Sequence, residues 1–418
     1  MPIERVRMMS GWSGAARPAV LRLAIVTETW PPEVNGVAMS LARLVDGLGG
    51  RGHGIELVRP RPRPPASEAR IPDQAGDAAV DGELLVRALP VPRYPDLQMG
   101  LPSGRRLAAR WREQPPDLVH IATEGPLGWS ALRAARALRL PVSSEFRTNF
   151  HEYSHHYGVG WLRRPIRGYL RWFHNSADCT MVPTEKLRSS LALAGFGNVE
   201  TVSRGVDARL FSPSRRSREL RRQWGVDDDG CVMIMVGRIA PEKNAGLVVR
   251  AFEAMREVRP GLRLVVVGDG PAREALSRAC PEAMFVGARY GEDLATHYAS
   301  ADIFGFASLT ETFGNVTLEA MASGLAVLAY DHAAAGELID TGREGLLAPA
   351  GDEAAFLRLA RQLAADPAGI GPMGRRARAR ALGHDWGRIV EQVEGRMIEL
   401  VEAHAAARAG AGLGGYAC

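Results

Sequence analysis

At 418 residues, 46% of them hydrophobic and 24% charged, the chain is long enough for two ordinary domains with substantial cores and has the composition of a soluble globular protein. No apolar run reaches the roughly 18 residues of a membrane span. The opening MPIERVRMMSGWSGAARPAV lacks the continuous apolar centre of a secretory signal. The formal net charge of +5 suits an anionic partner. With no RNP-like aromatic strand, zinc finger or clear helix-turn-helix signature, an anionic lipid surface is a better candidate than nucleic acid.

Residues 1–20 read as a flexible extension, with Met8 or Met9 as an alternative start. A buried-strand run at 21–27 leads into the turn-rich Pro31-Pro32-Glu33-Val34-Asn35-Gly36 and a helix to about Leu48. A second strand at 55–59 precedes a Pro/Arg/Ala-rich stretch, 60–82, that reads as an irregular surface insertion. Short apolar strands follow at 118–122, 142–146 and 179–182, with helical patterns between them. Such alternation indicates a parallel α/β domain. Cys179, Cys231, Cys280 and Cys418 show no CxxC spacing, so neither a disulfide framework nor a cysteine metal site is indicated and a reducing cytoplasm is the expected location.

His151-Glu152-Tyr153-Ser154-His155 matches the HExxH zinc-peptidase pattern. It sits in a short connection with no recognisable third ligand, so a peptidase is the distant alternative and no metal is expected. In 161–174, Trp161, Ile166, Tyr169 and Phe173 share one side of a helix, with Arg163, Arg167 and Arg171 on another. A basic, aromatic, amphipathic helix of this kind packs on the core or lies on an anionic membrane.

The pattern restarts near residue 206, with strands at 232–236, 264–267, 284–286, 303–306 and 326–329. Two doubly wound domains are expected, 21–205 and 206–384, facing each other across a cleft at the carboxyl ends of their strands. A helix from Trp386 to about Ala406, within 385–408, and a disordered tail, 409–418, complete the chain.

Two cations, Arg238 and Lys243, follow the first strand of the second domain and can neutralise a diphosphate leaving group. Val267-Gly268-Asp269-Gly270-Pro271 fails the dinucleotide fingerprint at its third glycine, where Arg273 stands. These glycines read as a tight strand-to-helix turn. In Thr310-Glu311-Thr312-Phe313-Gly314-Asn315-Val316-Thr317-Leu318-Glu319-Ala320, one glutamate precedes a helix over 315–323 and the other lies about one turn inside it. The helix N-terminus suits a phosphate, and Phe313-Gly314 lets backbone approach it. Glu319 can then hold a ribose and Glu311 the hydroxyls of what the phosphates carry, which describes a nucleotide-sugar site.

From about Leu21 to Trp386 the chain resembles the retaining GT-B glycosyltransferases with an E-x7-E motif, most of all bacterial GDP-mannose-dependent α-mannosyltransferases and glycolipid-forming relatives such as sulfoquinovosyl-diacylglycerol synthases. Thr27-Glu28-Thr29-Trp30-Pro31-Pro32, Asn35-Gly36-Val37, Gly237-Arg238, Lys243-Asn244, Gly268-Asp269-Gly270-Pro271, Glu311-Thr312-Phe313-Gly314 and Glu319-Ala320 carry the resemblance. It implies a GT-B fold, two facing Rossmann-like domains with a central cleft and a last helix returning to the first domain. It implies a hexosyltransferase that keeps the anomeric configuration and needs no cofactor beyond its nucleotide-sugar donor, GDP-mannose or alternatively a UDP-sugar.

By the same resemblance, Gly36 meets the donor diphosphate from the first domain while Arg238 and Lys243 meet it from the second. Glu311 holds the hexose, backbone at Phe313, Gly314 and Asn315 meets sugar or phosphate, Glu319 holds the ribose, and Arg289 lies near the base. Arg238, Lys243 and Glu311 form the implied catalytic set. The acceptor is lipid-linked or at a membrane surface, which adds a peripheral position on the inner face of the cytoplasmic membrane to the expected location. Relatives often carry Phe-His-Thr-Asn-Phe where this chain has Phe146-Arg147-Thr148-Asn149-Phe150. Arg147 stays protonated and is no general base. It is expected on the acceptor side, with His151 covering part of the histidine's role.

Overall fold

The computed structural model describes residues 20–33, 35–62, 79–91, 94–147 and 163–413. The expected insertion falls largely outside these residues, and His151, Glu152, His155 and Trp161 fall wholly outside them. The first unit runs β1 (Arg22–Val26), α1 (Gly36–Gly50), β2 (Gly54–Pro60), β3 (Gly82–Val86), β4 (Ala88–Val91), β5 (Tyr94–Gly100), α2 (Gly104–Glu113), β6 (Leu118–Ile121), α3 (Pro126–Ala137), β7 (Val142–Glu145), α4 (Arg163–Asn175), β8 (Cys179–Val182), α5 (Glu185–Leu193) and β9 (Val199–Thr201). Its sheet has the order β3-β2-β1-β6-β7-β8-β9 with every pairing parallel, while β4 and β5 form a separate antiparallel pair.

The second unit runs α6 (Arg218–Gln223), β10 (Val232–Val236), α7 (Ala245–Val258), β11 (Arg263–Val267), α8 (Arg273–Ala279), β12 (Met284–Gly287), α9 (Gly291–Ser300), β13 (Ile303–Phe306), α10 (Asn315–Ala322), β14 (Ala326–Tyr330), α11 (Ala333–Leu338), β15 (Gly345–Ala348), α12 (Glu353–Ala365), α13 (Pro367–Ala381) and α14 (Trp386–Leu413). Its parallel sheet has the order β12-β11-β10-β13-β14-β15. Parallel sheets need cover on both faces, and every residue of β6, β7, β8, β10, β13 and β14 is buried. The strand order reverses between β1 and β6 and again between β10 and β13. Connections there leave to opposite faces and open a crevice at the strands' carboxyl ends.

Three features differ from the sequence expectations. The short strands β3, β9 and β15 extend the two sheets, although their runs of three to five residues carry little periodic signal. In α4 the side facing the core is Ile166, Leu170 and Phe173, while Tyr169 lies at its edge beside Trp172, partly exposed with its hydroxyl donating to the Glu124 carbonyl at 2.6 Å. α14 continues to Leu413, past Ala406 and into the stretch expected to be a disordered tail, because the alanine-rich end has high helix propensity.

α14 packs on the first unit. Ile389, Val390, Val393 and Met397 join Leu41, Leu44, Val45 and Leu48 of α1 in one core, and a Cβ on Gly47 would stand 2.4 Å from Val390 Cγ2. The chain therefore crosses between the units twice at one place. Val206 N–H donates to the His384 carbonyl at 2.9 Å, Val206 bridges Asp385, and Gly205 lies against the Trp386 indole, which a Cβ would approach to 2.5 Å. Gly205→Ala is expected to destabilise the protein by about 1–3 kcal/mol through overpacking. Gly261→Ala, with nothing within 4 Å of the new Cβ, is expected to stay within about 0.5 kcal/mol. Urea unfolding of the two variants checks this difference.

Candidate active site

The loops leaving β10 and β11 are locked together by glycines. Gly268 (φ 139°) packs so closely that a Cβ would stand 1.9 Å from the Gly237 carbonyl oxygen. Gly270 (φ 155°) sits likewise against the carbonyl of Ile239. The Gly-Asp-Gly segment thus brings two strand ends into contact, as a tight turn, rather than cradling a dinucleotide.

From that base the chain turns through Pro241–Lys243 and, at Asn244 (φ 49°), enters α7. Glu242 is buried, its carboxylate 3.9 Å from Arg238 Nη1. Its carbonyl accepts from Ser308 Oγ and Thr310 Oγ1, both at 3.4 Å. These bonds tie the Arg238–Lys243 loop to the loop between β13 and α10, so the switch-point strands β10 and β13 present their loops together. Lys243 Nζ and Glu311 Oε1 form an ion pair with both side chains largely buried. The sequence reading placed these two groups on different parts of a ligand, and the structure joins them.

Phe313 is buried in the core, so only its backbone is available to the crevice. Gly314 (φ 85°) supplies the left-handed turn into α10 and caps it without a side chain, leaving the first N–H groups of that helix open. His332 Nε2 lies 3.2 Å from the Glu311 carbonyl, and Ala334 N–H donates to the Phe313 carbonyl at 2.7 Å. The start of α11 therefore holds the motif from behind. On α10, half-buried Glu319 accepts from the Tyr298 hydroxyl at 3.1 Å. Burial pushes the Glu319 carboxyl up to about 7, partly offset by that hydrogen bond. Arg289 stands apart at the carboxyl end of edge strand β12, donating to the Val286 carbonyl at 2.8 Å and pairing with Asp293 at 3.2 Å.

Across the crevice, Asn35 caps α1, its Oδ1 accepting from Val37 and Ala38 N–H. Asn35 Nδ2 donates to Thr29 Oγ1 at 2.6 Å, and Thr29 donates to Glu33. Gly36, the first residue of α1, faces α10: a Cβ there would stand 3.9 Å from Asn315 Nδ2. The two helix N-termini thus meet from opposite units. Deeper on the same side, Glu28 accepts from Leu127 N–H at 2.8 Å and so caps α3, whose N-cap is Gly125. Burial lifts the Glu28 carboxyl to about 7, and burial together with the Glu28 charge lifts Glu124 to about 8.

Arg147 does not point into open space. Its buried guanidinium donates from Nη2 to Glu145 Oε1 at 2.7 Å and from Nη1 to Ser40 Oγ at 2.5 Å, while Nε stands 2.7 Å from Glu145 Oε2 as an ion-pair contact without hydrogen-bond geometry. Glu145 also receives Arg204 at 2.6 Å and lies 2.9 Å from His120 Nε2. Burial alone would raise the Glu145 carboxyl, but the two arginines and His120 outweigh it and hold the group well below the usual carboxylate range. His151 lies outside the described residues. Sequence reasoning missed Tyr298, His332, Ser40 and Glu145. A signal existed for Glu145 alone, since it precedes Arg147 by two residues in extended chain and shares its side.

Comparison with known proteins identifies the family and the fold. Residues 34–210 match the family described as Glycosyltransferase Family 4, and residues 230–366 the family described as Glycosyl transferases group 1. A GDP-mannose-dependent alpha-mannosyltransferase of Mycobacterium tuberculosis is 37% identical over 79% of this chain and 85% of its own. The sulfoquinovosyl transferase of Arabidopsis thaliana is 31% identical over 76% of this chain and 62% of its own. Among solved structures, a sucrose-phosphate synthase from Thermosynechococcus elongatus shares the fold, with a TM-score of 0.73 at 19% identity over 92% of this chain and 100% of that one. The chain belongs to the group 1 glycosyltransferases, and its paired parallel sheets are the GT-B fold of an enzyme that transfers a glycosyl group.

Proposed function

We propose that the enzyme transfers mannose from GDP-mannose, with retention of the α-configuration, to an acceptor presented at a membrane surface. The observation that carries the donor half is the grouping of Arg238, Lys243 and Glu311 at the β10/β13 switch point, opposite Gly36 and beside the open N-terminus of α10. Cations and backbone N–H groups there suit a diphosphate, Glu311 the hydroxyls of the hexose, and Glu319 those of the ribose. Arg289 is assigned to the base side. The first unit, 21–205, takes the acceptor, and the second, 206–384, the donor.

In this reading the bond from the sugar's anomeric carbon to the leaving phosphate breaks as the acceptor oxygen bonds to the same face. The acceptor's proton passes to the departing diphosphate, whose charge Arg238 and Lys243 take up. The Mycobacterium tuberculosis relative supports mannose and guanine. The second reading is a UDP-sugar donor and a diacylglycerol-type acceptor, and the sulfoquinovosyl relative supports it only in transferring a sugar other than mannose.

The membrane half rests on α4 and its neighbour α3. Arg164, Arg167 and Arg171 are exposed together with Tyr169 and Trp172, while Arg133 stacks over Trp129 at 5.0 Å. A groove of about 230 Å³ between the helices is lined by Leu132, Arg133, Arg136, Trp172 and Ser176. Aromatic and basic groups side by side fit the boundary layer of an anionic bilayer on the cytoplasmic face.

A thermal-shift panel of GDP-, UDP- and ADP-sugars is expected to give its largest shift with GDP-mannose, and a UDP-sugar shift without one reverses the donor assignment. Glu311→Ala and Arg238→Ala should each lower turnover by roughly 10²–10³-fold. Because the ribose hydroxyls are accepted by an ionised Glu319, GDP affinity should weaken as pH falls through about 7. Titration calorimetry should find that component missing in Glu319→Gln. Anionic vesicles should retain the protein at moderate salt and lose it when Arg164, Arg167 and Arg171 are changed to Gln, measured by co-sedimentation.

A further inference from the structure

We infer that Arg147 is a positioning residue that sets the donor diphosphate site from behind, by fixing Gly36 and the motif loop of the opposite unit. This rests on the donor reading above and goes beyond it. The Arg147 side chain is 2% exposed and both of its faces are in use. One grips Glu145. The other donates from Nη1 to Ser40 Oγ at 2.5 Å and to the Val37 carbonyl at 3.3 Å. Ser40 Oγ in turn donates to the Gly36 carbonyl at 2.6 Å. A continuous chain thus runs from the buried Glu145 carboxylate through Arg147 and Ser40 to the peptide of Gly36, the residue opposite Asn315.

The same residue reaches the other unit through its backbone. Thr312 Oγ1, between Glu311 and Phe313, donates to the Arg147 carbonyl at 2.9 Å. Arg147 therefore touches the first turn of α1 with its side chain and the donor motif with its main chain. If it swung out to meet an acceptor, Glu145 would lose one of its guanidinium partners and Ser40 its charged one, which is the costly way to break a buried set. Two guanidinium groups, Arg147 and Arg204, against one carboxylate leave surplus positive charge behind the first turn of α1, on the side that favours an anion. Lysine is a poor replacement, since a single ammonium cannot reach Glu145 on one side and Ser40 and the Val37 carbonyl on the other as the planar fork does.

The test uses the full chain with Arg147→Lys, Ser40→Ala and Thr312→Val, reading donor KM, acceptor KM, kcat, thermal midpoint, and GDP and UDP affinity by calorimetry. The expected result is a donor KM raised roughly tenfold in Arg147→Lys and roughly threefold in the other two. Nucleoside diphosphate affinity falls in parallel, acceptor KM is unmoved, and kcat changes less than donor KM. If Arg147→Lys fails to fold, Ser40→Ala and Thr312→Val decide the matter, since neither alters a charge. A purely structural role would lower the thermal midpoint and leave donor KM and nucleotide affinity in place, and that outcome overturns the inference. A rise in acceptor KM alone overturns it too, and returns Arg147 to the acceptor side. If the wild-type protein binds GDP or UDP but turns over no nucleotide sugar, the proposed reaction fails while nucleotide affinity across the variants still decides this point. If it binds neither, both fail.

Discussion

A carboxylate deep in a protein needs partners to stay ionised, and Glu145 has them from three directions, two guanidinium groups and an imidazole ring. Arg147 comes from the chain just after β7, Arg204 from the crossing between the units, and His120 from the neighbouring strand β6. Removing one member of such a buried set typically costs about 3–5 kcal/mol, because the rest is left uncompensated. The sheet, the crossing and the first turn of α1 are therefore held to one another by a single side chain. The crevice inherits its shape from that constraint, since the glycine at the head of α1 is reached through Arg147 and Ser40.

The candidate site residues gather where the two sheets reverse their strand order. In a parallel sheet buried on both faces, side chains along the strands are consumed by the core, and only the carboxyl ends are free to carry function. β10 and β13 end side by side, so Lys243 and Glu311, 68 residues apart in sequence, come into contact. Glu319 depends on Tyr298 from α9, and Glu311 on His332 from the start of α11. Each motif residue is thus steadied by a neighbour from another element.

That arrangement decides what was legible beforehand. Long apolar runs such as 232–236 and 303–306 announce buried strands through their own composition, and the two-unit α/β architecture follows from their alternation with helices. The glutamate spacing and the glycine before α10 are likewise local, so the helix N-terminus and the placement of Glu311 before it could be read directly. Tyr298 and His332 could not, because nothing in their own surroundings marks them and they reach the motif only after folding. Arg147 shows a different limit. Its residue type ruled out a general base, yet its burial depends on Glu145, Arg204 and Ser40 converging from three parts of the chain. β9 and β15 are too short for periodicity to separate them from loops.

The last helix has a consequence for synthesis. Ile389, Val390, Val393 and Met397 are part of the core of the first unit, although they are made only after all the strands of the second. As the polypeptide emerges from the ribosome, the second sheet has all its strands available while one side of α1 still faces water uncovered. Domains generally fold as units in the order they are made, with exposed apolar surface as the hazard of waiting. Here the order is partly inverted: the first unit emerges before the second yet gains the cover of α1 only after the strands of the second have been made.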